Sequence, residues 1–432
     1  MRKLLCLIIL AFFALNIHAQ EGTTSPYSFY GIGSLKFKGT VENVSMGGLS
    51  IYTDSIHVNL RNPASYAGSF QNSDGEGQII KFAVGGSSSN TTLKTNSASD
   101  KTNATTFDYL ALSLPMGRLG MSFGLMPYTS VGYKLISVKE ENILDYRYNG
   151  EGGLNKAFLG IGYLISENLK IGIDASYNFG NIENSVVNFR YDDEGDPLLY
   201  HSKEVNRSEL SGINFNLGLS YTPMISEKLQ LTSSLSFSPK ADLTSTNQRN
   251  FATVVIGNTG QDITVNEIEA DLEALNLDKT VLTLPTKTAF GLGLGEKRKW
   301  FLGAEYTFLK TSEFSNEIFS FDNTTYENAS TISVGGFFIP QYNSFSYWKR
   351  VVYRAGMRFE NTGLNIQNES INEFGMSFGV GLPVGRMFNN VNIGLEVGQR
   401  GTIKQNLVKE NFVNFQISLS FNDRWFQKRK FD

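Results

Sequence analysis

The chain has little sulfur and little imidazole. Its single cysteine, Cys6, and three histidines among 432 residues exclude a disulfide framework and leave few of the thiolate and imidazole ligands from which zinc and iron sites are built. A dominant charge is missing too. Lys and Arg number 38 against 41 Asp and Glu, a net charge of −3, so no basic field exists to neutralise a phosphate backbone and nucleic acid is not expected as a partner. Long apolar runs are absent after the first residues. The stretch 4–15 is about twelve residues, short of the roughly 20 that a spanning helix needs, so no transmembrane helix is expected. Arg2 and Lys3 before it and the small Ala19 behind it read as a secretory leader over residues 1–19, cleaved near Ala19 and carrying Cys6 away.

What is present is alternation. From 413 to 421 the apolar set Val413, Phe415, Ile417, Leu419 and Phe421 interleaves with Asn414, Gln416, Ser418 and Ser420, the period-two pattern of a strand with two unlike faces. Residues 169–180, 213–221 and 374–382 repeat it. In a soluble sandwich the outer face would be rich in Lys, Glu and Thr; here the polar face is mainly Gly, Ser and Asn, which suits a barrel with lipid against its apolar side. Only helices and closed barrels satisfy their backbone groups in lipid. The expected fold is therefore all-β, a 14-stranded antiparallel transmembrane β-barrel, with strands near 77–87, 104–114, 118–138, 154–165, 168–188, 205–222, 228–248, 278–294, 300–318, 326–338, 350–360, 371–382, 389–401 and 410–421. Strand limits between 313 and 350 are the least defined. Short connections at one end read as periplasmic turns, although the link 339–349 is longer than its neighbours there.

Three regions lie outside the wall. Residues 20–76, rich in Gly, Asn and Ser without sustained alternation, are expected to fold back into the lumen as an N-terminal hatch or plug; 77–421 form the barrel and 422–432 a periplasmic tail. Within 249–277, Val265, Ile268, Leu272 and Leu275 fit a short amphipathic helix, which either caps its loop or borders a ligand entrance.

Catalytic chemistry is not expected. Gly-x-Ser-x-Gly occurs around Ser122 and Ser377, but inside alternating strands rather than at the strand-to-helix turn of a nucleophile elbow. His57 and His201 are isolated, and the acidic run Asp192 to Asp196 lacks the ligand spacing of a calcium loop. No cofactor or metal is implied. Strand charges say more: an outward cation at the bilayer midplane costs about 2–4 kcal/mol, so Arg354 and Arg358 must face the lumen, with Lys170, Asp174, Glu305 and Glu396. Either these groups pair with one another and the plug, or a cation among Arg354, Arg358 and Lys170 receives the carboxylate of a ligand.

Five pieces resemble the FadL-like outer-membrane transporters of long-chain fatty acids and other hydrophobic compounds, in the branch found in Bacteroidetes. They are the stretches at 25–33, 45–48, 62–66 (Asn62-Pro63-Ala64-Ser65-Tyr66), 152–155, and the closing Asn422-Asp423-Arg424-Trp425-Phe426 with Lys428-Arg429-Lys430. The resemblance implies a hatch motif at Asn62, Pro63 and Ala64, and passive uptake through a lateral hole where the third strand kinks inward. That strand carries Pro127; proline belongs at ladder edges, ends or bulges, so Pro127 marks either the gap or the rim of the strand. The partners implied are outer-membrane lipid and a hydrophobic small-molecule ligand, fatty-acid-like or aromatic. The charged connection 189–204 departs from the apolar outer groove of the family. Some barrels of this branch serve instead as scaffolds or shuttles for protein secretion or surface assembly, with a protein partner.

Overall fold

A computed structural model of the protein describes residues 22–68, 79–139, 143–314, 323–385 and 389–424. The leader with its cleavage point at Ala19, residues 69–78 and the tail from Trp425 onward lie outside the described residues.

Fourteen antiparallel strands form a closed wall: β1 (Ile79–Lys94), β2 (Ser99–Met116), β3 (Leu119–Pro127 and Thr129–Val138), β4 (Leu144–Ser166), β5 (Leu169–Asn188), β6 (His201–Tyr221), β7 (Leu229–Ser238 and Ala241–Ile256), β8 (Lys279–Leu284 and Lys287–Glu296), β9 (Trp300–Leu309), β10 (Ala329–Phe338), β11 (Val352–Ile366), β12 (Glu369–Val384), β13 (Asn389–Arg400) and β14 (Lys409–Arg424). The first strand pairs with the last, from Ile79 opposite Arg424 to Lys94 opposite Lys409, which closes the ring. Closure gives the lipid-facing backbone its hydrogen-bond partners, the condition for a sheet to sit in a bilayer. Among the described residues no helix is long and apolar enough to cross a membrane.

The two faces follow the sequence period. On β5 and β6, Ile171, Ile173, Tyr177, Phe215, Leu217 and Tyr221 point outward and are exposed, whereas Asp174, Ser176, Asn178 and Asn214 are buried inside. Arg354, Arg358, Glu305 and Glu396 are likewise buried.

Residues 22–68 run through the bore. They contain single turns at Pro26–Phe29, Val41–Val44 and Pro63–Tyr66 and the two-residue strand Ser34–Leu35. Their apolar side chains pack on inward residues from separate sectors of the ring. Ile32 meets Val131, Leu154, Leu210 and Leu243; Leu60 and Tyr66 meet Tyr109 and Phe158; Met46, Leu49 and Ile51 meet Phe301 and Phe337. Burying Leu49 and Ile51 completely is worth about 1.5–3 kcal/mol each. The inward glycines admit this chain. A Cβ at Gly172 would run into the Pro63 carbonyl group, and one at Gly356 into the backbone of Met46 and Gly47.

Several elements differ from the sequence reading. The stretch expected as a helix at Val265 to Leu275 instead holds the strand Asp262–Glu269, paired with β7 from Asn250 opposite Glu269 to Ile256 opposite Asp262. Its β-branched residues Ile263, Thr264, Val265 and Ile268 favour a strand, and the turn through Gly260, at φ +77°, returns it onto β7. The ninth strand ends at Leu309, followed by a turn at Thr311–Glu313, and the tenth begins at Ala329, with Thr324–Tyr326 pairing on β11. The last strand continues through Asn422 and Asp423 to Arg424.

Candidate functional site

The lumen holds two kinds of polar group: those that tie the N-terminal segment to the wall, and those that border open space.

Asn62, Pro63 and Ala64 belong to the first kind. Proline has no N–H to satisfy at the start of the turn Pro63–Tyr66, and the Asn62 Oδ1 caps that turn by accepting from the Ala64 amide at 3.0 Å. The Asn62 Nδ2 donates to the Leu219 carbonyl on β6 at 3.2 Å. Ala64 is completely buried, and Gly172 and Gly218 leave room for the turn. Nearby, Glu305 of β9 accepts from both the amide and the hydroxyl of Ser50 at 2.7 Å and pairs with Arg61 at 2.7 Å.

A second tie gathers charges of β11, β12 and β13. Arg358 contacts Glu373 at 2.5 Å and Glu396 at 2.9 Å. Arg400 reaches the other Glu373 oxygen at 2.6 Å, and Lys38 of the N-terminal segment pairs with Glu373 and, at 3.6 Å, with Glu360. Arg354 donates to Asn392 Oδ1 at 3.1 Å, and Asn392 in turn donates to Glu42 at 2.6 Å. The two arginines are therefore engaged in the network. Lys170, the third cation singled out in the sequence, has no ion-pair partner among the described residues.

A third contact involves His57. Its Nδ1 lies 2.6 Å from Asp54 Oδ2, its Nε2 lies 3.8 Å from Glu42, and Lys81 of β1 donates to the carbonyls of both Asp54 and His57. Burial pushes the Asp54 carboxyl up, but His57 and Lys81 outweigh it and hold the group well below the usual carboxylate range.

Open space borders some of these same ties. A cavity of about 200 Å³ is bounded by the apolar Leu60, Met126 and Phe158, by the cations Lys38, Arg61, Lys156, Lys287 and Arg358, and by the carboxylates of Asp174 and Glu360. Lys156 Nζ sits 5.0 Å over the Tyr128 ring. Neither Lys156 nor Lys287 has a carboxylate partner within ion-pair distance among the described residues. Sequence reasoning passed over both, although each occupies an inward position of an alternating strand, the signal that identified Arg354 and Arg358.

The wall beside this cavity is incomplete. The first half of β3 pairs on both sides, with β2 from Leu110 opposite Leu125 to Met116 opposite Leu119 and with β4 from Leu119 opposite Tyr163 to Pro127 opposite Asn155. Beyond Pro127 only the β4 side continues, from Val131 opposite Gly152 to Val138 opposite Leu144. The free edge of β3 there receives Ser34 and Leu35 of the N-terminal segment, opposite Ser130 and Thr129, and the Lys36 amide donates to the Tyr128 carbonyl at 2.9 Å. Residues 99–107 of β2 pair with β1 alone among the described residues. Pro127 thus stands where β3 leaves β2. Lys36, Thr105, Phe107, Thr129 and Asn155 line the resulting opening, and burial pushes the Lys36 ammonium down, with Asp108 partly offsetting it. Leu35, Tyr128 and Lys156 line the cavity while their chain neighbours Lys36, Pro127 and Asn155 line the opening, so the two spaces lie on either side of the same crossing of chains.

The remaining sequence motifs have local roles. Ser122 donates to the Leu112 carbonyl at 3.0 Å, and Ser377 accepts from the Gly47 amide at 2.9 Å. His201 Nδ1 accepts from the Arg190 amide at 3.1 Å. Asp192 closes its own loop by accepting from the amides of Glu194 and Asp196.

Solved structures with the same fold include the toluene transporter TodX of Pseudomonas putida (TM-score 0.58, 13% identity, covering 92% of this chain and 100% of that one). The monoaromatic hydrocarbon channel CymD gives TM-score 0.53 and 13% identity over 91% and 98% of the two chains, and a FadL homologue of Pseudomonas aeruginosa gives 0.54 and 11% over 91% and 100%. No curated protein matches the chain in sequence. The BamG family model matches residues 1–432, and with an outer-membrane-type barrel of the FadL fold around it, the chain belongs to the BamG family.

Proposed function

We propose that the protein, of the Bacteroidetes-type branch, lets small hydrophobic molecules cross the outer membrane by diffusion, without cofactor or chemical energy, after its leader is removed near Ala19. The observation that carries this reading is the juxtaposition at Pro127: a lumenal cavity with apolar and cationic walls abuts a place where the barrel ladder is interrupted. A ligand passing there can leave sideways into the apolar layer without crossing water. Residues 22–68 act as the hatch, braced by Asn62, Pro63 and Ala64.

Capture begins at the outer mouth. Phe251 and Ile268 are directly paired and both exposed, and alternation along β7 from the buried Leu243 puts them on the side that continues the lumenal face. They replace the apolar outer groove that the charged loop 189–200 does not provide. A cavity of about 200 Å³ is small for a long-chain fatty acid, since about 150 Å³ suffices for benzene and drug-sized pockets span roughly 300–1,000 Å³. The reading therefore favours aromatic-sized compounds, and an anionic one would be received by Lys156 and Lys287 rather than by Arg358, which lines the same cavity but is paired with Glu373 and Glu396, or by Arg354, which does not line it.

The test is uptake of toluene and of a short fatty acid into vesicles holding the purified protein. Cysteine cross-linking of the 105–107 edge to the 129–131 edge should abolish entry, and reduction should restore it. Uptake that persists with the opening cross-linked removes the mechanism.

A second reading has its own support. Lys38 and Arg61 tie the hatch to buried carboxylates, and the loop at 192–196 presents exposed acids, as a non-transporting scaffold for protein secretion or surface assembly would. Under it a stoichiometric protein partner co-purifies and no uptake occurs.

A further inference from the structure

The end of the barrel that holds both chain ends of the wall has unequal connections. Most are tight, such as 117–118, 167–168 and 297–299, but β10 and β11 are joined by residues 339–351. This connection is tied to the turn beside it: the Ile339 amide donates to the Lys299 carbonyl at 2.6 Å, the Gln341 amide donates to the Lys349 carbonyl at 2.8 Å, and the Arg298 guanidinium lies 4.9 Å over the Tyr342 ring. Together they form one foot below β9, β10 and β11.

The foot has two unlike parts. Phe345 is fully exposed and Trp348 is 67% exposed. Above them, Trp300, Phe338 and Tyr353 stand side by side by register on the lipid-facing side of the wall, and the Tyr353 hydroxyl donates to the Trp348 carbonyl at 3.3 Å. The aromatic surface of the foot thus continues the lipid-facing surface of the barrel. The second part is basic. Lys349 and Arg350 have no carboxylate within ion-pair distance among the described residues, Arg350 lying 5.7 Å from the Tyr347 ring; Lys299 is paired with Glu296 at 2.9 Å, and Arg298 and Lys297 lie on the bore side, against Tyr342 and beside Lys170. Buried Arg350 Nε also lacks a hydrogen-bond partner.

We propose that this foot is a docking site for anionic phospholipid of the periplasmic leaflet, with Phe345 and Trp348 at the acyl border and Lys349 and Arg350 at the phosphate. Aromatic rings prefer the level of the headgroups, and cations at that level attract anionic lipid. A water-exposed phenylalanine and tryptophan beside unpaired cations have a physical reason where a bilayer surface meets them. The site is independent of whether the bore conducts. It fastens one sector of the barrel to the leaflet.

Two measurements test it. The chain has three tryptophans, so W300F/W425F leaves Trp348 as the sole reporter. In vesicles, Trp348 emission should be quenched by phospholipid brominated near its headgroup, and unquenched emission overturns the proposal. In native mass spectrometry of the full chain, phosphatidylglycerol should be retained over phosphatidylcholine by on the order of tenfold. The preference should vanish in K349Q/R350Q but survive both K297Q/R298Q on the bore side and K203Q/R207Q at the opposite end. A preference unchanged by K349Q/R350Q, or Trp348 shielded from bromine by a bound periplasmic protein, assigns the foot to something other than lipid.

Discussion

Glu305 offers the sharpest test of how the N-terminal segment is held. Its carboxylate receives the Ser50 amide, the Ser50 hydroxyl and the Arg61 guanidinium, each at 2.7 Å, and is itself 4% exposed. Hydrogen bonds to a charged group contribute about 1.5–3 kcal/mol each but do not add independently. Glu305→Ala also leaves Arg61 uncompensated in a largely buried place, so the overall cost should be about 3–5 kcal/mol. The barrel ladder does not depend on this contact. The loss should therefore fall on docking of the segment, as an increase of about two to four orders of magnitude in its local opening. Hydrogen exchange over residues 43–60 should accelerate accordingly, while strands β5 and β6 keep their protection. Glu305→Gln, which retains an acceptor for Ser50 but loses the ion pair, should give an intermediate value. Unchanged exchange over 43–60 in the alanine variant would show that apolar contacts of Leu49 and Ile51 hold the segment by themselves and would refute the reasoning.

Other outcomes follow from the same geometry. Lys38→Met should loosen the segment less than Glu305→Ala, by about 1–2 kcal/mol, because Glu373 keeps Arg358 and Arg400; comparative exchange over residues 34–44 reads the difference. Gly356→Leu places a side chain where Met46 and Gly47 pass, so the segment should be displaced and single-channel conductance should rise, whereas an unchanged current would mean that the bore accommodates the change. Since the folded-state value for Asp54 is depressed, its contribution is complete above the unfolded value near pH 4 and is lost as pH falls through the lower folded value. The exchange difference between wild type and Asp54→Asn, present at about pH 5, should accordingly shrink as pH falls below about 4. Leu217→Arg on the outward face of β6 should cost roughly 2–4 kcal/mol in thermal unfolding measured in lipid, while an effect near zero would mean that position 217 is not in the apolar layer.

How the chain would fold was legible locally. A period of two in residues such as Val413 to Phe421 depends only on neighbours along the strand, so the number of wall strands and the inward placement of Arg354 and Arg358 follow from the sequence itself. The strand Asp262–Glu269 was misread because Val265, Ile268 and Leu272 also satisfy a helical spacing; the deciding contact is the ladder to β7, which periodicity does not record. The small inward residues announced a narrow bore, but not that Gly172 and Gly356 face the backbones of Pro63 and Met46.

Ion pairing between the N-terminal segment and the wall belonged wholly to the tertiary structure. Glu373 meets Lys38 and Glu305 meets Arg61 only after the barrel closes around the first part of the chain, and no spacing rule links residues more than two hundred positions apart. The same closure engages Arg354 and Arg358 and leaves Lys156 and Lys287 beside open space. Pro127 was visible as a break in a strand. That the break separates β3 from β2 and not from β4 is set by which neighbour can follow the bent chain, and hydrogen-bond partners across a sheet are assigned by three-dimensional register rather than by sequence.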